Sequence, residues 1–281
     1  MADETFDSIG EWSEDKLNIL KEYAKPYMQI IDSHPPLYPI YIDAFADRGK
    51  HISRKSKTII AGSPLNALRV EPRFKEYYFI DIIPEKVETL RGVVENELSM
   101  IERPKPIVKI IEGDGNKILR EDLLPGLTYD SYRRALCFLD PYGMHLEWDN
   151  IKTAGGLGTI DIFINFSIMD MNMNVLRLDP ENVEEREIQR MNLFWGDESW
   201  KNIAYDTNRN LFGYPEKVRN EDIKNAYRKR LREVAGFLYV PEPIAMCNST
   251  NTIIYYLFFA SSQLVARKII EDIFNKYRRG N

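Results

Sequence analysis

The feature that most restricts the fold of this 281-residue chain is a repeated pattern, a short apolar, β-branched and aromatic run that stops at or just before an aspartate. It occurs at Pro39 to Asp43, at Tyr77 to Asp81, at Ile107 to Ile111 followed by Gly113 and Asp114, and at Ala135 to Leu139 followed by Asp140. Runs of this length, bounded by proline, glycine and acidic turns, read as buried strands. A fifth, Asp161 to Phe166, lacks the aspartate beyond its end. Helix-like segments interleave with these runs, notably Pro84 to Met100 and Glu147 to Ala154. Strands that alternate with helices predict a parallel, doubly wound α/β sheet. Ligands bind such sheets in a crevice outside the carboxyl ends of the strands, so the repeated aspartates are expected to face one crevice.

The flanks complete one expected domain over residues 1–281. Residues 1–36 form an N-terminal helical segment. Ser13 is placed to cap a helix carrying Leu17, Leu20, Tyr23, Ala24, Tyr27 and Ile31 at helical spacing, broken by Pro35 and Pro36. Residues 169–235 turn charged and helical, acidic over 179–187 and basic over 217–232. They read as a helical insertion, a substrate cover or a plain solvated flank. Gly236 to Val240 and Asn251 to Ala260 read as two strands joined by a loop too short for a parallel crossover, hence an antiparallel pair. A helix from Ser262 to about Tyr277 is expected to close the chain.

Composition excludes several classes. With 44% hydrophobic residues the chain can bury a core, and no apolar run approaches a membrane span of about 20 residues. The start is acidic and lacks a basic-then-apolar leader, so a cytoplasmic protein is expected. Cys137 and Cys247 are isolated thiols that read as small hydrophobes rather than a disulfide or metal site, and no metal is expected. His34, His51 and His145 receive no catalytic role. A nicotinamide dehydrogenase is disfavoured because no Gly-x-Gly-x-x-Gly follows the first strand.

The turns beyond the strands carry the chemistry. After Asp43 come Phe45, Ala46, Asp47, Arg48 and Gly49, a small-residue turn where backbone can approach a ligand. Gly62-Ser63-Pro64 begins a helix, with Ser63 read as its cap, and its free amides favour anions. Asp140-Pro141-Tyr142-Gly143 follows the fourth strand. In this order the motifs resemble the class I S-adenosylmethionine-dependent methyltransferases, and more narrowly the three-Cys-motif partner proteins (TcmP), over nearly the whole chain. That family has a Tyr-Ile-Asp-x-Phe-Ala-Gly-x-Gly run, a delayed Gly-Ser-Pro, an Asp-Pro-Tyr-Gly and a terminal Tyr-Tyr-Leu-x-Phe-Ala-Ser.

The resemblance implies a Rossmann-like fold, a seven-stranded mostly parallel sheet with an antiparallel C-terminal hairpin, and S-adenosyl-L-methionine as cofactor. It implies cofactor contacts from Asp43, Phe45, Ala46, Gly49, Gly62, Ser63, Pro64, Asp81, Ile82, Asp114, Gly115 and Asp140. Asp81 would take the ribose hydroxyls and Asp114 the adenine amino group, although an Asp-Gly turn alone would also place Asp114 here. Asp140, Pro141 and Tyr142 would orient an acceptor amine, probed by analogy with Asp-Pro-Pro-Tyr amino-group methyltransferases, or would form only a turn that caps the next helix. The expected reaction is methyl transfer to an amine of a nucleic-acid base. The alternative is a weak or inactive methyltransferase-like partner subunit. One departure stands out: Asp47, followed by Arg48, replaces a family glycine and puts a carboxylate where the methionine carboxylate is expected. The basic stretches 48–57, 217–232 and 267–279 are expected to grip phosphates if they share a face. A companion protein would supply the three-cysteine motif, since this chain has only two cysteines.

Overall fold

The computed structural model describes residues 6–102, 104–178, 180–206 and 216–280. Parts of the expected insertion, residue 179 and residues 207–215, lie outside them, as do the acidic first five residues. Seven strands form one sheet: β1 (Tyr38–Asp43), β2 (Glu76–Asp81), β3 (Ile107–Glu112), β4 (Arg133–Leu139), β5 (Ile160–Phe166), β6 (Ile244–Cys247) and β7 (Ile253–Ala260). Their order is β6-β7-β5-β4-β1-β2-β3. Strands β1 to β5 are parallel, and β7 runs antiparallel to both β5 and β6. From β1 the chain builds outward through β2 and β3, then returns to lay β4 on the other side of β1. The order therefore reverses between β1 and β4, where Asp43 pairs in register with Phe138. A crevice opens at such a reversal because the flanking connections diverge.

Both faces of the sheet are covered. Ile40, Ile42, Tyr78, Ile80, Leu139, Ile164 and Phe166 pack on one face beneath Trp148, Ile151, Met191, Phe194, Trp195 and Tyr227. These come from α4 (Trp148–Leu157), α6 (Glu185–Trp195) and α7 (Asn220–Glu233). Tyr41, Tyr77, Phe79, Phe138, Phe163 and Phe259 pack on the other, against α1 (Glu11–Asp32), α2 (Ser63–Leu68), α3 (Pro84–Ser99) and α8 (Ala266–Gly280). Burial on both faces is why the strands read as continuous apolar runs. A short helix α5 (Ile168–Asn174) leaves β5 toward the crevice.

Several boundaries differ from the sequence reading. Helix α1 starts at Glu11, because Gly10 is extended and its carbonyl accepts from the Ser13 and Glu14 amides. In α2, Gly62 rather than Ser63 is the cap. Gly236 to Val240 is not a strand: Tyr239 makes one isolated bridge to Ser261, while Pro241 and Pro243 remove the amides that a ladder needs. The partner of β7 is instead β6. The basic stretch after Gly49 is no open loop, since Lys50–Ser53 and Ile59–Ala61 pair antiparallel and Ser8–Ile9 adds a parallel strand. Within the charged segment, two-residue strands pair Tyr205 with Lys217 and Asp206 with Glu216. The last helix begins at Ala266 rather than Ser262. Cys137 is buried and Cys247 only half-buried. No described helix is long and apolar enough to cross a membrane.

Candidate active site at the carboxyl ends of the parallel strands

A cleft of about 1150 Å³ opens at the reversal between β1 and β4. The turns after β1, β2, β3 and β4 line it with Phe45, Asp47, Asp81, Ile82, Asp114, Gly115, Asp140, Pro141 and Tyr142. Lys16 and Ser13 of α1 form another wall, with Asn165 at the end of β5 and Tyr255 of β7.

The half of the cleft around β2 and β3 is organised by local turns. Asp81 Oδ1 accepts from the Ile83 amide (2.9 Å), and its Oδ2 accepts from the Asp47 amide (3.0 Å). Each oxygen keeps a lone pair for a ligand. Ile82 beside it is 66% exposed, an apolar surface at the rim. Asp114 caps the turn Gly115–Ile118 by accepting from the Asn116 amide (2.9 Å). Gly115 lies directly against the turn after β1: a Cβ there would stand 2.2 Å from the Ala44 carbonyl oxygen. Glycine is required at this position by close backbone approach. The Asn116 side chain ties the β3 and β4 turns together, donating to the His145 carbonyl (2.7 Å) and accepting from the Glu147 amide (2.8 Å).

The half around β4 depends on residues distant in sequence. Lys16 Nζ donates to Asp140 Oδ2 at 2.5 Å, and Asn165 Nδ2 donates to Asp140 Oδ1 at 2.6 Å. The Lys16 side chain is 8% exposed and that of Asp140 25%. The Lys16 ammonium also lies over the Tyr255 ring, 4.9 Å from its centroid, and 5.9 Å from that of Phe138. Asn165 Oδ1 is buried and has no hydrogen-bond partner. Tyr142 is 90% exposed at the cleft mouth. Gly143 next to it takes φ of 62° with the Asp170 carboxylate of α5 against it, and Arg190 of α6 pairs with Asp170 at 3.4 Å and Glu187 at 2.5 Å.

Asp43 stands behind the cleft wall rather than in it. It is fully buried, its Oδ2 has no partner, and burial raises its carboxyl to a pKa of about 7, against the lowering by the Ser63 hydroxyl. Ala46, Gly49, Gly62, Ser63 and Pro64 are buried and do not line the cleft either. The Gly62 amide is spent on the Gly49 carbonyl (2.8 Å), so the α2 start closes the turn from behind. Asp47 does line the cleft, in a left-handed conformation (φ 53°). Its carboxylate is offset by Lys86 of α3 at 2.9 Å and faces His51 at 3.8 Å. Burial lowers the pKa of His51, against the raising effect of Asp47. Lys16, Lys86, Asn116, Asn165 and Arg190 were missed by sequence reasoning. Only Asn165 left a signal, as a polar residue next to the end of an apolar strand.

Several charges of the three basic stretches are engaged in ion pairs within the chain. Lys224 and Arg228 of α7 pair with Glu242, and Arg278 of α8 donates to the Glu242 carbonyl, so these helices meet at the β6 edge. Arg230 pairs with Asp197, Arg267 with Glu271, Lys276 with Glu22 and Lys55 with Glu11. The Arg279 side chain lies outside the described residues. Among those residues no group of three or more His, Cys, Asp or Glu stands where it could hold a metal ion.

No family model matches the chain, and no curated protein matches it in sequence. Solved structures do match in fold. Protein LPL1258 from Legionella pneumophila aligns with a TM-score of 0.52 at 10% identity, covering 93% of this chain and 91% of that one. Trm1 from Pyrococcus horikoshii, solved with S-adenosyl-L-methionine, aligns at 0.44 and 11% identity over 92% of this chain and 57% of its own. Magnesium protoporphyrin IX methyltransferase from Synechocystis, with bound SAH, aligns at 0.39 and 12% identity over 88% and 84%. The chain has a Rossmann-like α/β fold, with five parallel strands and an antiparallel C-terminal pair, and shares its fold with LPL1258.

Proposed function

We propose that this protein is an S-adenosylmethionine-dependent methyltransferase that acts on an amine. The observation that carries this reading is convergence: Asp81, Asp114 and Asp140-Pro141-Tyr142, from three separate strand ends, line one cleft at the sheet's reversal point. The residues present fit the adenosine part of the cofactor. Asp81 retains acceptor capacity for a ribose diol, Ile82 offers an apolar face, and the exposed Asp114 can accept from an amino group. Bound there, the cofactor would supply an electrophilic methyl group. Asp140, held at both oxygens, and the Pro141 carbonyl would orient the acceptor nitrogen, and orientation is the main contribution a protein makes to such a displacement.

Helix α6, which reaches the cleft through Arg190 and Leu193, and α5, whose cap residue Ser167 lines it, would serve as part of a substrate cover. A base in nucleic acid as acceptor is supported by the exposed Tyr142, which could stack on it. It is weakened by the ion pairs that already engage Lys224, Arg228, Arg230, Arg267 and Lys276. A second reading, a weakly binding or inactive subunit that serves a three-Cys-motif companion, is favoured by one observation: Asp140 is already engaged by Lys16.

Calorimetry with S-adenosylmethionine separates the two. Binding is expected, weakened by about 1–3 kcal/mol in Asp81→Ala through loss of a hydrogen-bond partner and retained in Asp140→Ala. No heat of binding even in large cofactor excess would leave only the second reading.

A further inference from the structure

The Lys16 ammonium rests in a site built for a cation. A carboxylate faces it at 2.5 Å, the ring faces of Tyr255 and Phe138 flank it, and the buried Asn165 Oδ1 nearby is an acceptor with no donor. Carboxylate and aromatic faces together are the chemistry that recognises an alkylammonium. Lys16, Asp140, Asn165 and Tyr255 all line the open cleft, so the position is reachable from solvent.

We propose that this subsite binds the alkylammonium group of the acceptor, a lysine side chain or a polyamine, with Lys16 as its resident occupant until the acceptor arrives. The proposal rests on the reading that Asp140 orients the acceptor nitrogen, and it names the acceptor's class. Charge decides between classes. Each Asp140 oxygen keeps a lone pair, but the place between Oδ2 and the Tyr255 and Phe138 rings is filled by Lys16, so an incoming amine gains that place only by displacing it. A neutral base amine in that place would leave a largely buried carboxylate without its cation, which is strongly unfavourable. An alkylammonium restores the pair, and it becomes a methyl acceptor only after one N–H proton passes to the Asp140 carboxylate, which frees the nitrogen lone pair. It also brings further N–H groups, one of which can satisfy Asn165 Oδ1.

Truncating the occupant tests this without any cofactor. The full chain with Lys16→Ala is titrated with n-butylammonium, spermidine and cytidine, by calorimetry and by thermal unfolding. Lys16→Ala is expected to bind n-butylammonium at least about tenfold more tightly than the unaltered protein, and to recover part of its lost melting temperature on binding. Cytidine is expected to do neither. Adding Asp140→Asn should remove the gain. Should Lys16→Ala not fold, spermidine binding by the unaltered protein, expected to fall about tenfold in Asp140→Asn, gives the same decision. The proposal is overturned by equal n-butylammonium binding with and without Lys16, by spermidine binding indifferent to Asp140→Asn, or by cytidine binding better than the ammonium. Cofactor titrations on the same samples keep the outcomes apart. Cofactor binding without ammonium binding removes this inference alone, and the reverse removes the methyltransferase reading.

Discussion

The two halves of the cleft hold their carboxylates by opposite means. Asp114 and Asp81 each accept from a backbone amide two residues downstream, and Asp81 also from Asp47 in the adjoining turn. Asp140 is held by side chains 124 and 25 residues away in sequence. Asp43, behind it, has one long bond of 3.4 Å to the Phe45 amide and one oxygen with no partner. The first half is therefore set once the turns after β1, β2 and β3 meet. The second exists only when α1 has docked on the sheet and placed Lys16. A site with one self-contained half and one assembled half can lose its chemistry without losing its ligand-binding turns.

The largest expected effect that would break this contrast lies in the assembled half, at Asp43. Burial raises its pKa to about 7, so between about pH 4 and pH 7 the folded state holds a proton that the unfolded state has released. Stability from this group therefore falls as pH rises through that window and levels off above it. Asp43→Asn should abolish a decline on the order of 4 kcal/mol, seen as a flatter plot of urea midpoint against pH. Asp161, buried with Tyr23 and Ser261 and raised to about 6, keeps its own decline in that variant and serves as the internal control. An unchanged slope in Asp43→Asn would show that the assembled half does not store this charge.

Next comes Lys16→Met. Removing one member of a mostly buried ion pair strands the other, which costs about 3 kcal/mol, and adding Asp140→Asn should recover much of it. Urea unfolding of the two variants measures this, and a double variant no better than the single would mean that the pair is not the source of the loss. In the self-contained half, Gly115→Ala pushes a methyl against the Ala44 carbonyl and should cost about 2 kcal/mol. Its melting temperature should drop with no change in the pH slope that Asp43 sets.

The same contrast explains what was legible in the sequence. The parallel strands, their helices and the aspartates at their ends follow from local apolar runs and turn residues, and so do Asp81, Asp114 and Asp140-Pro141-Tyr142 in one cleft. Lys16 was hidden because a lysine on an amphipathic helix ordinarily points to solvent, and nothing local marks the one that lies under Tyr255. Asp43 followed the same strand-end pattern as Asp81, yet its neighbours bury it. That difference arises from α2 closing behind β1, a tertiary fact. Gly236 to Val240 was misread as a strand because its apolar content was weighed above Pro241 and Pro243, while β6, only four residues long, carried too short a pattern to announce itself.

The smallest expected effect is Asp47→Gly, and it bears most directly on whether the halves are independent. Asp47 adopts φ of 53°, which disfavours a residue with a Cβ by about 1 kcal/mol. Its ion pair with Lys86, both side chains 24% exposed, offsets that by about 0.2–1 kcal/mol. Asp47→Gly should therefore change stability by less than about 0.5 kcal/mol. It should also tighten binding of a carboxylate-bearing cofactor, since Lys86 is left without its partner. His51 feels both halves, facing Asp47 directly and sensing Lys16 and Asp140 through the buried interior. If the halves are independent, Asp47→Gly and Lys16→Met add within about 0.5 kcal/mol. A larger discrepancy that vanishes in a His51→Gln background would make His51 the wire between them and turn two halves into one coupled site.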